Sequence, residues 1–138
     1  MRLTSITFQI VEFAPAQLEP SVLYISEKYA TALHLCCCGC GQEVVTPLSS
    51  AEWQLRRIGN TVSLYPSIGN WSFACQSHYW IKQNKILWAG AMSAVQIDRV
   101  RQRDKRDKDR QIHKSNATKL RHSSTTSVWK IIRAWFKR

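Results

Sequence analysis

The stretch His34-Leu35-Cys36-Cys37-Cys38-Gly39-Cys40-Gly41, answered further along by Cys75-Gln76-Ser77-His78, decides how this chain is read. All five cysteines of the sequence lie in these two clusters. Thiolates and imidazoles set this closely suit a tetrahedral zinc site, whose soft sulfur and nitrogen ligands sit at about 2.0–2.3 Å. Gly39 and Gly41 let the backbone turn tightly around an ion. The interval from Cys40 to Cys75 suits two hairpins brought together by one metal. Buried or redox-active thiols are the plainer alternative. Disulfides fit less well, because three consecutive cysteines pair badly and the count is odd.

Strand alternation puts His34, Cys36, Cys38 and Cys40 on one side and Cys37 on the other, as a bystander. The ligands are therefore expected to be three or four of His34, Cys36, Cys38, Cys40, Cys75 and His78. Four protein ligands close the tetrahedron and make an inert structural site. Three plus a water make a Lewis-acid site. The spacing leaves both open. The chain has no His-Glu-x-x-His, which excludes the common helical metallopeptidase arrangement. A cysteine with His78 would serve as nucleophile and base, although a metal would consume the same residues. Ser67 or Ser77 with His78 would make a serine dyad. Ser77 is the poorer partner, since neighbours on a strand point to opposite faces. The ordinary role for either serine is hydrogen bonding in a turn. Glu19, Glu27 and Glu43 are most simply solvated strand-end residues, and a thiol redox role for Cys37 and Cys40 lacks a βαβ context.

Outward from the clusters the chain reads as short strands with turn punctuation. Ile6 to Val11 alternates, and Val22 to Ile25 is β-branched and aromatic. Strands run into and out of the first cluster at Ala30–Leu35 and Glu43–Leu48. Val62 to Tyr65 alternates and is expected to stop at Pro66, leaving Ser67–Trp71 as a loop. His78 to Ile81 and Lys85 to Trp88 close the set around a Gln83-Asn84 turn. The fold class expected is mainly β: a small antiparallel zinc-knuckle domain over residues 1–90, with a basic, helical or disordered extension over 91–138. A core of that size is modest, so a metal would help to hold it. Trp53, Trp71, Trp80 and Trp88 are expected to pack in that core or over it.

The charge is divided as sharply as the pattern. Residues 1–98 hold equal numbers of basic and acidic groups. Residues 99–138 carry 14 Lys and Arg against three Asp, and so the whole net charge of +11. Ala91 to about Lys114 reads as helix. Ser123 to Ser127 reads as a flexible link before a short amphipathic helix, with Val128, Ile131, Ile132 and Trp135 on one face. This extension is either solvated or makes nonspecific contact with nucleic acid or an anionic membrane through residues 99–138. No stretch approaches the roughly 20 apolar residues of a transmembrane segment. Free cysteines and the absence of a signal-like start point to the reducing cytoplasm.

Several strings together resemble a small bacterial family of domains found beside genes for ubiquitin-like conjugation. They are Leu23-Tyr24-Ile25-Ser26, His34-Leu35-Cys36, Cys38-Gly39-Cys40-Gly41 and Val44-Val45-Thr46-Pro47-Leu48. Pro66-Ser67-Ile68-Gly69-Asn70-Trp71, Cys75-Gln76-Ser77-His78-Tyr79-Trp80-Ile81 and Trp88-Ala89 continue it. The resemblance covers roughly residues 20–90. It implies a peptidase that trims a ubiquitin-like modifier precursor in a bacterial conjugation system, often set among antiviral defence genes. Joined to the cysteine pattern, it leads to the expectation of a zinc-dependent enzyme. Zinc would polarise the scissile carbonyl and activate a bound water, with His78 or His34 as ligand or proton shuttle and Ser67 as a further catalytic candidate. Asn70, Trp71 and Trp80 would clamp the extended substrate, which strand addition along a sheet edge would suit. The alternative is a noncatalytic zinc-ribbon-like module that binds nucleic acid or a protein partner.

Overall fold

The computed structural model describes residues 1–135, and the side chains of residues 1–118. Strands β1 (Thr7–Ile10), β2 (Val22–Ser26), β3 (Thr31–Leu35) and β4 (Glu43–Pro47) form one four-stranded sheet in that order. Strands β5 (Gln54–Ile58), β6 (Thr61–Gly69), β7 (His78–Lys82) and β8 (Lys85–Trp88) form a second. Every pairing is antiparallel except β1 with β2. The small, mainly β domain expected from the strand spacing is what forms.

Alternation explains why these segments pair as they do. On β3 and β4 the inward residues are Ala32, His34, Val44 and Thr46, and the register sets Ala32 against Thr46 and His34 against Val44. A one-residue slip would turn this set to solvent. The Thr46 hydroxyl is satisfied by donating to the Ala32 carbonyl at 2.9 Å. In the second sheet Val62, Leu64 and Ile68 of β6 face inward with Tyr79 and Ile81 of β7 and Ile86 of β8. These residues merge with Ile6, Leu23, Ile25, Cys36 and Cys37 into one core cluster. Burying a side chain such as Ile81 fully contributes about 1.5–3 kcal/mol. Trp53 and Trp88 pack against that cluster.

β6 departs from the sequence reading. It does not stop at Pro66 but runs on to Gly69, so Ser67 lies on a strand rather than in a loop. Its register against β7 shifts between Leu64, opposite Ile81, and Ile68, opposite Tyr79. The extra residues make a bulge, one of the few places where a sheet tolerates a proline that cannot donate to the ladder. Bulges re-aim side chains, and this one carries Ser67.

Contact density divides the chain into Met1–Ile97 and Asp98–Arg138. Helix α1 (Ala94–Trp135) opens with Ser93, whose hydroxyl accepts from the Gln96 amide at 3.3 Å while the Gln96 side chain accepts from the Ser93 amide at 2.8 Å. The helix is continuous through Ser123–Ser127, where a flexible link was expected. Serine and threonine only lower helix propensity and, unlike proline, do not break the backbone ladder. The expected apolar face of Val128, Ile131, Ile132 and Trp135 lies outside the described side chains. Among the described residues no helix is long and apolar enough to cross a membrane.

Asn84 ties the two hairpins of the second sheet together. It sits at φ 64 in the β7–β8 turn. Its side chain accepts from the Val62 amide at 2.8 Å and donates to the Asn60 carbonyl at 2.8 Å. Asn84→Ala removes both bonds and leaves a residue poorly suited to the left-handed region, so a loss of about 2–3 kcal/mol is expected from urea unfolding. A loss below about 0.5 kcal/mol, within the usual range of a neutral surface change, would show that the turn does not depend on it.

Candidate active site

Ser67 and His78 meet on the outward face of the second sheet. His78 opens β7 directly opposite Gly69, and Ser67 lies two residues back along β6. Register parity sends both side chains away from the core, while Ile68 and Tyr79 between them point inward. The Ser67 Oγ and His78 Nε2 atoms are 2.9 Å apart. The imidazole is held between two indoles. The Trp71 ring lies 4.9 Å from it, centroid to centroid, and the Trp80 ring 5.3 Å. Gly69 makes room for this, because a Cβ there would come within 2.4 Å of the Trp71 indole nitrogen. His78 Nδ1 is buried and has no hydrogen-bond partner among the described residues, so an edge-on contact with Trp71 and a tilted one with Trp80, rather than a carboxylate, orient the ring. Burial holds the His78 pKa below the ordinary 6.5 and keeps the ring neutral near pH 7. A hydroxyl against a neutral imidazole nitrogen is the arrangement that activates a serine for attack on a carbonyl.

A second constellation lies where the two sheets meet. The sulfurs of Cys36, Cys38, Cys40 and Cys75 all fall within 4.8 Å of one another, close enough to hold a metal ion. Cys36 and Cys38 are 3.4 Å apart, Cys36 and Cys75 3.9 Å, and Cys40 and Cys75 3.8 Å. A regular tetrahedron with metal–sulfur bonds of about 2.3 Å has edges of about 3.8 Å, so the spacing fits a four-thiolate ion. Gly39 at φ 85 and Gly41 at φ 78 provide the tight turn that brings the first three together. All five cysteines are free thiols. Cys37 is fully buried outside the group, and burial pushes its thiol up to about 12. Burial also opposes ionisation of Cys75, but hydrogen bonds from Ser77, Cys38 and Cys40 outweigh it and bring its thiol down to about 7.

A buried polar network separates the two constellations. Asn70 donates to the Ser77 hydroxyl at 2.8 Å, and that hydroxyl lies 3.0 Å from the Cys36 sulfur. Asn70 also reaches the Tyr79 hydroxyl at 3.5 Å, and Tyr79 bonds His34 Nε2 at 2.8 Å. His34 is wholly buried, which lowers its pKa to about 4 and keeps it neutral. The structure thus places each expected site residue. Cys36, Cys38, Cys40 and Cys75 come together. His34 and His78 stand apart from them, bonded to Tyr79 and Ser67. Trp71 and Trp80 flank His78, and the Asn70 side chain faces inward. Tyr79 is the residue that sequence reasoning missed. Its only signal was its inward parity between His78 and Trp80.

A family model described as bacterial ubiquitination-like system serine protease (BubE) matches residues 10–89. No curated protein and no solved structure matches the chain. The family overturns the expectation of a zinc-dependent peptidase and, with it, the alternative of a noncatalytic zinc-ribbon-like module. A serine protease attacks with a side-chain oxygen, not a metal-bound water, and both histidines proposed to serve such a water have other partners. With more than half of its length matched, and a serine–histidine pair inside the matched region, the chain belongs to the family of bacterial ubiquitination-like system serine proteases.

Proposed function

We propose that this chain is a serine peptidase that cleaves a ubiquitin-like protein precursor at the modifier's carboxyl terminus. Ser67 is the nucleophile and His78 its base. The observation that carries this reading is the 2.9 Å contact of Ser67 Oγ with His78 Nε2 inside the region matched by the family. In the productive tautomer His78 carries its proton on Nδ1, and Ser67 donates to Nε2. Ser67 Oγ adds to the scissile carbonyl as its proton passes to His78 Nε2. The imidazolium returns that proton to the leaving amine, and an acyl-serine forms. Water, deprotonated by the same nitrogen, then releases the modifier's carboxylate.

The sheet offers a way to present the substrate. β5 pairs with β6 only from Ile58 to Gln54, where Gln54 faces Tyr65. From Pro66 to Gly69, β6 has β7 on one side and no strand partner on the other among the described residues. An extended modifier tail laid along that free edge continues β5 and passes Ser67. Small residues suit it, because Trp71 and Trp80 crowd the pair. Within this reading residues 1–90 form the peptidase domain and residues 91–138 a separate basic extension. The four cysteines hold zinc as a closed structural site, which fits a protein of the reducing cytoplasm.

Ser67→Ala is expected to lower kcat/KM on a modifier precursor by at least about 10³-fold without changing the thermal unfolding curve. Retention of cleavage within tenfold, read by mass spectrometry of the products, would remove Ser67 from the reaction. Because burial lowers the His78 pKa, the base form persists at neutral pH and is lost only as pH falls through a value below 6.5. The pH profile of kcat/KM should therefore be flat near pH 7 with an acid limb centred below 6.5, and a midpoint above 7 would contradict this origin. Purified protein is expected to carry one zinc per chain by elemental analysis. Cys40→Ser should lose most of it, with several kcal/mol of stability, since binding energy at such sites is folding energy. Full zinc content in that variant would show that the ion is held elsewhere.

A further inference from the structure

The outward face of the second sheet carries more than the dyad. Register fixes its membership: Gln54 with Tyr65, Arg56 with Ser63 and Ile58 with Thr61 on one flank, and Trp80 with Leu87 and Lys82 with Lys85 on the other. Its apolar members are unusually open, with Tyr65 exposed by 68%, Ile58 by 56% and Leu87 by 43%. Its charges are of one sign. The four strands contain Arg56, Arg57, Lys82 and Lys85 and neither Asp nor Glu. Arg57 pairs with Glu27 across a 3.6 Å contact, whereas Arg56, Lys82 and Lys85 form no ion pair among the described residues. Lys82 and Lys85 are moreover direct cross-strand partners, and like charges so placed destabilise a hairpin. Both cross-strand lysines project from the outward face, about 13 Å along β7 from His78. That is too far to touch a scissile bond and well placed to hold the body of a protein whose tail reaches Ser67.

We infer that this face docks the folded body of the ubiquitin-like modifier, through an apolar patch on that partner ringed by carboxylates. Tyr65, Trp80 and Leu87 meet the patch, and Arg56, Lys82 and Lys85 meet the acidic rim. The identity of the partner rests on the peptidase reading; the chemistry of the surface does not. Charge complementarity explains why three cations without ion pairs line up in a row beside exposed apolar groups, and why two of them face each other across the strands.

The test measures binding rather than turnover. Ser67→Ala protein is titrated with the intact precursor, and the dissociation constant is compared after Arg56→Glu and Lys82→Glu are added together. Affinity should fall roughly tenfold or more, and binding by the parent should weaken as salt rises. Lys28→Glu, which changes net charge in the β2–β3 turn, should leave the constant unchanged. Equal affinity after the double reversal, or an equal loss from Lys28→Glu, overturns the inference. So does selective binding of a short single-stranded DNA that depends on Arg56 and Lys82 while the precursor does not bind. Cleavage of the precursor by the Ser67→Ala protein would instead sink the dyad reading, and leaves the docking result to be judged by the constants alone. Circular dichroism of each variant confirms that a lost affinity is not a lost fold.

Discussion

The meeting of four sulfur atoms between the two sheets is the constraint on which the rest of this protein depends. Cys36, Cys38 and Cys40 belong to the turn between β3 and β4 in one sheet, and Cys75 to the connection between β6 and β7 in the other. The core alone is small, so a contact that fixes one sheet's loops against the other's has large leverage on the whole. It also reaches the Ser67–His78 pair. Cys75 precedes Ser77, which bonds Asn70 and Cys36, and His78 follows at once as the first residue of β7. A displacement of that loop moves the imidazole relative to Ser67. In the proposed reaction the sulfurs would act through position, without supplying any of its chemistry.

The Ser67–His78 pair is oriented by an unusual means. Serine hydrolases commonly fix the imidazole with a carboxylate on its second nitrogen. Here Trp71 meets the ring edge-on and Trp80 meets it at a tilt, and Gly69 gives Trp71 the space to do so. Such contacts limit how the ring can turn, but no carboxylate stands by to stabilise the positive charge it would acquire on taking the serine proton in the proposed reaction. The same indoles strip water from the histidine and lower its pKa. A base favoured in its neutral form is ready near neutral pH, and is a weaker acceptor for that reason.

Much of this was legible in the chain. The period-two pattern around His34, Val44 and Val62 revealed the strands, because each has one face in the core. Clustering revealed the thiols, but strand parity does not arrange them: Cys36, Cys38 and Cys40 gather in a turn past the end of β3, with Cys37 buried outside the group and His34 apart from it. Three features were hidden. The extension of β6 past Pro66 depends on a bulge, and a proline reads as a stop until its unpaired side is known. His34 and His78 look like ligands by proximity to cysteine, yet tertiary partners, Tyr79 and Ser67, claim their nitrogens. The significance of Ser67 is a matter of which faces meet across two strands. Spacing offered Ser67 with His78 as a serine dyad beside its ordinary role in a turn, and could not choose between the two.

Helix α1 differs in kind from everything before it. Its 42 residues would extend about 63 Å, and beyond Ile97 nearly all of the described side chains are exposed. Over residues 98–118 the described side chains bury no stripe, so this stretch owes its order to intrinsic propensity and to short-range pairs such as Arg110 with Asp107 at 3.7 Å. Such order is lost gradually on warming and responds to ionic strength, whereas the sheets share a packed core and melt together. A calorimetric trace would therefore draw little cooperative heat from residues 98–118, and its transition would report chiefly on the two sheets.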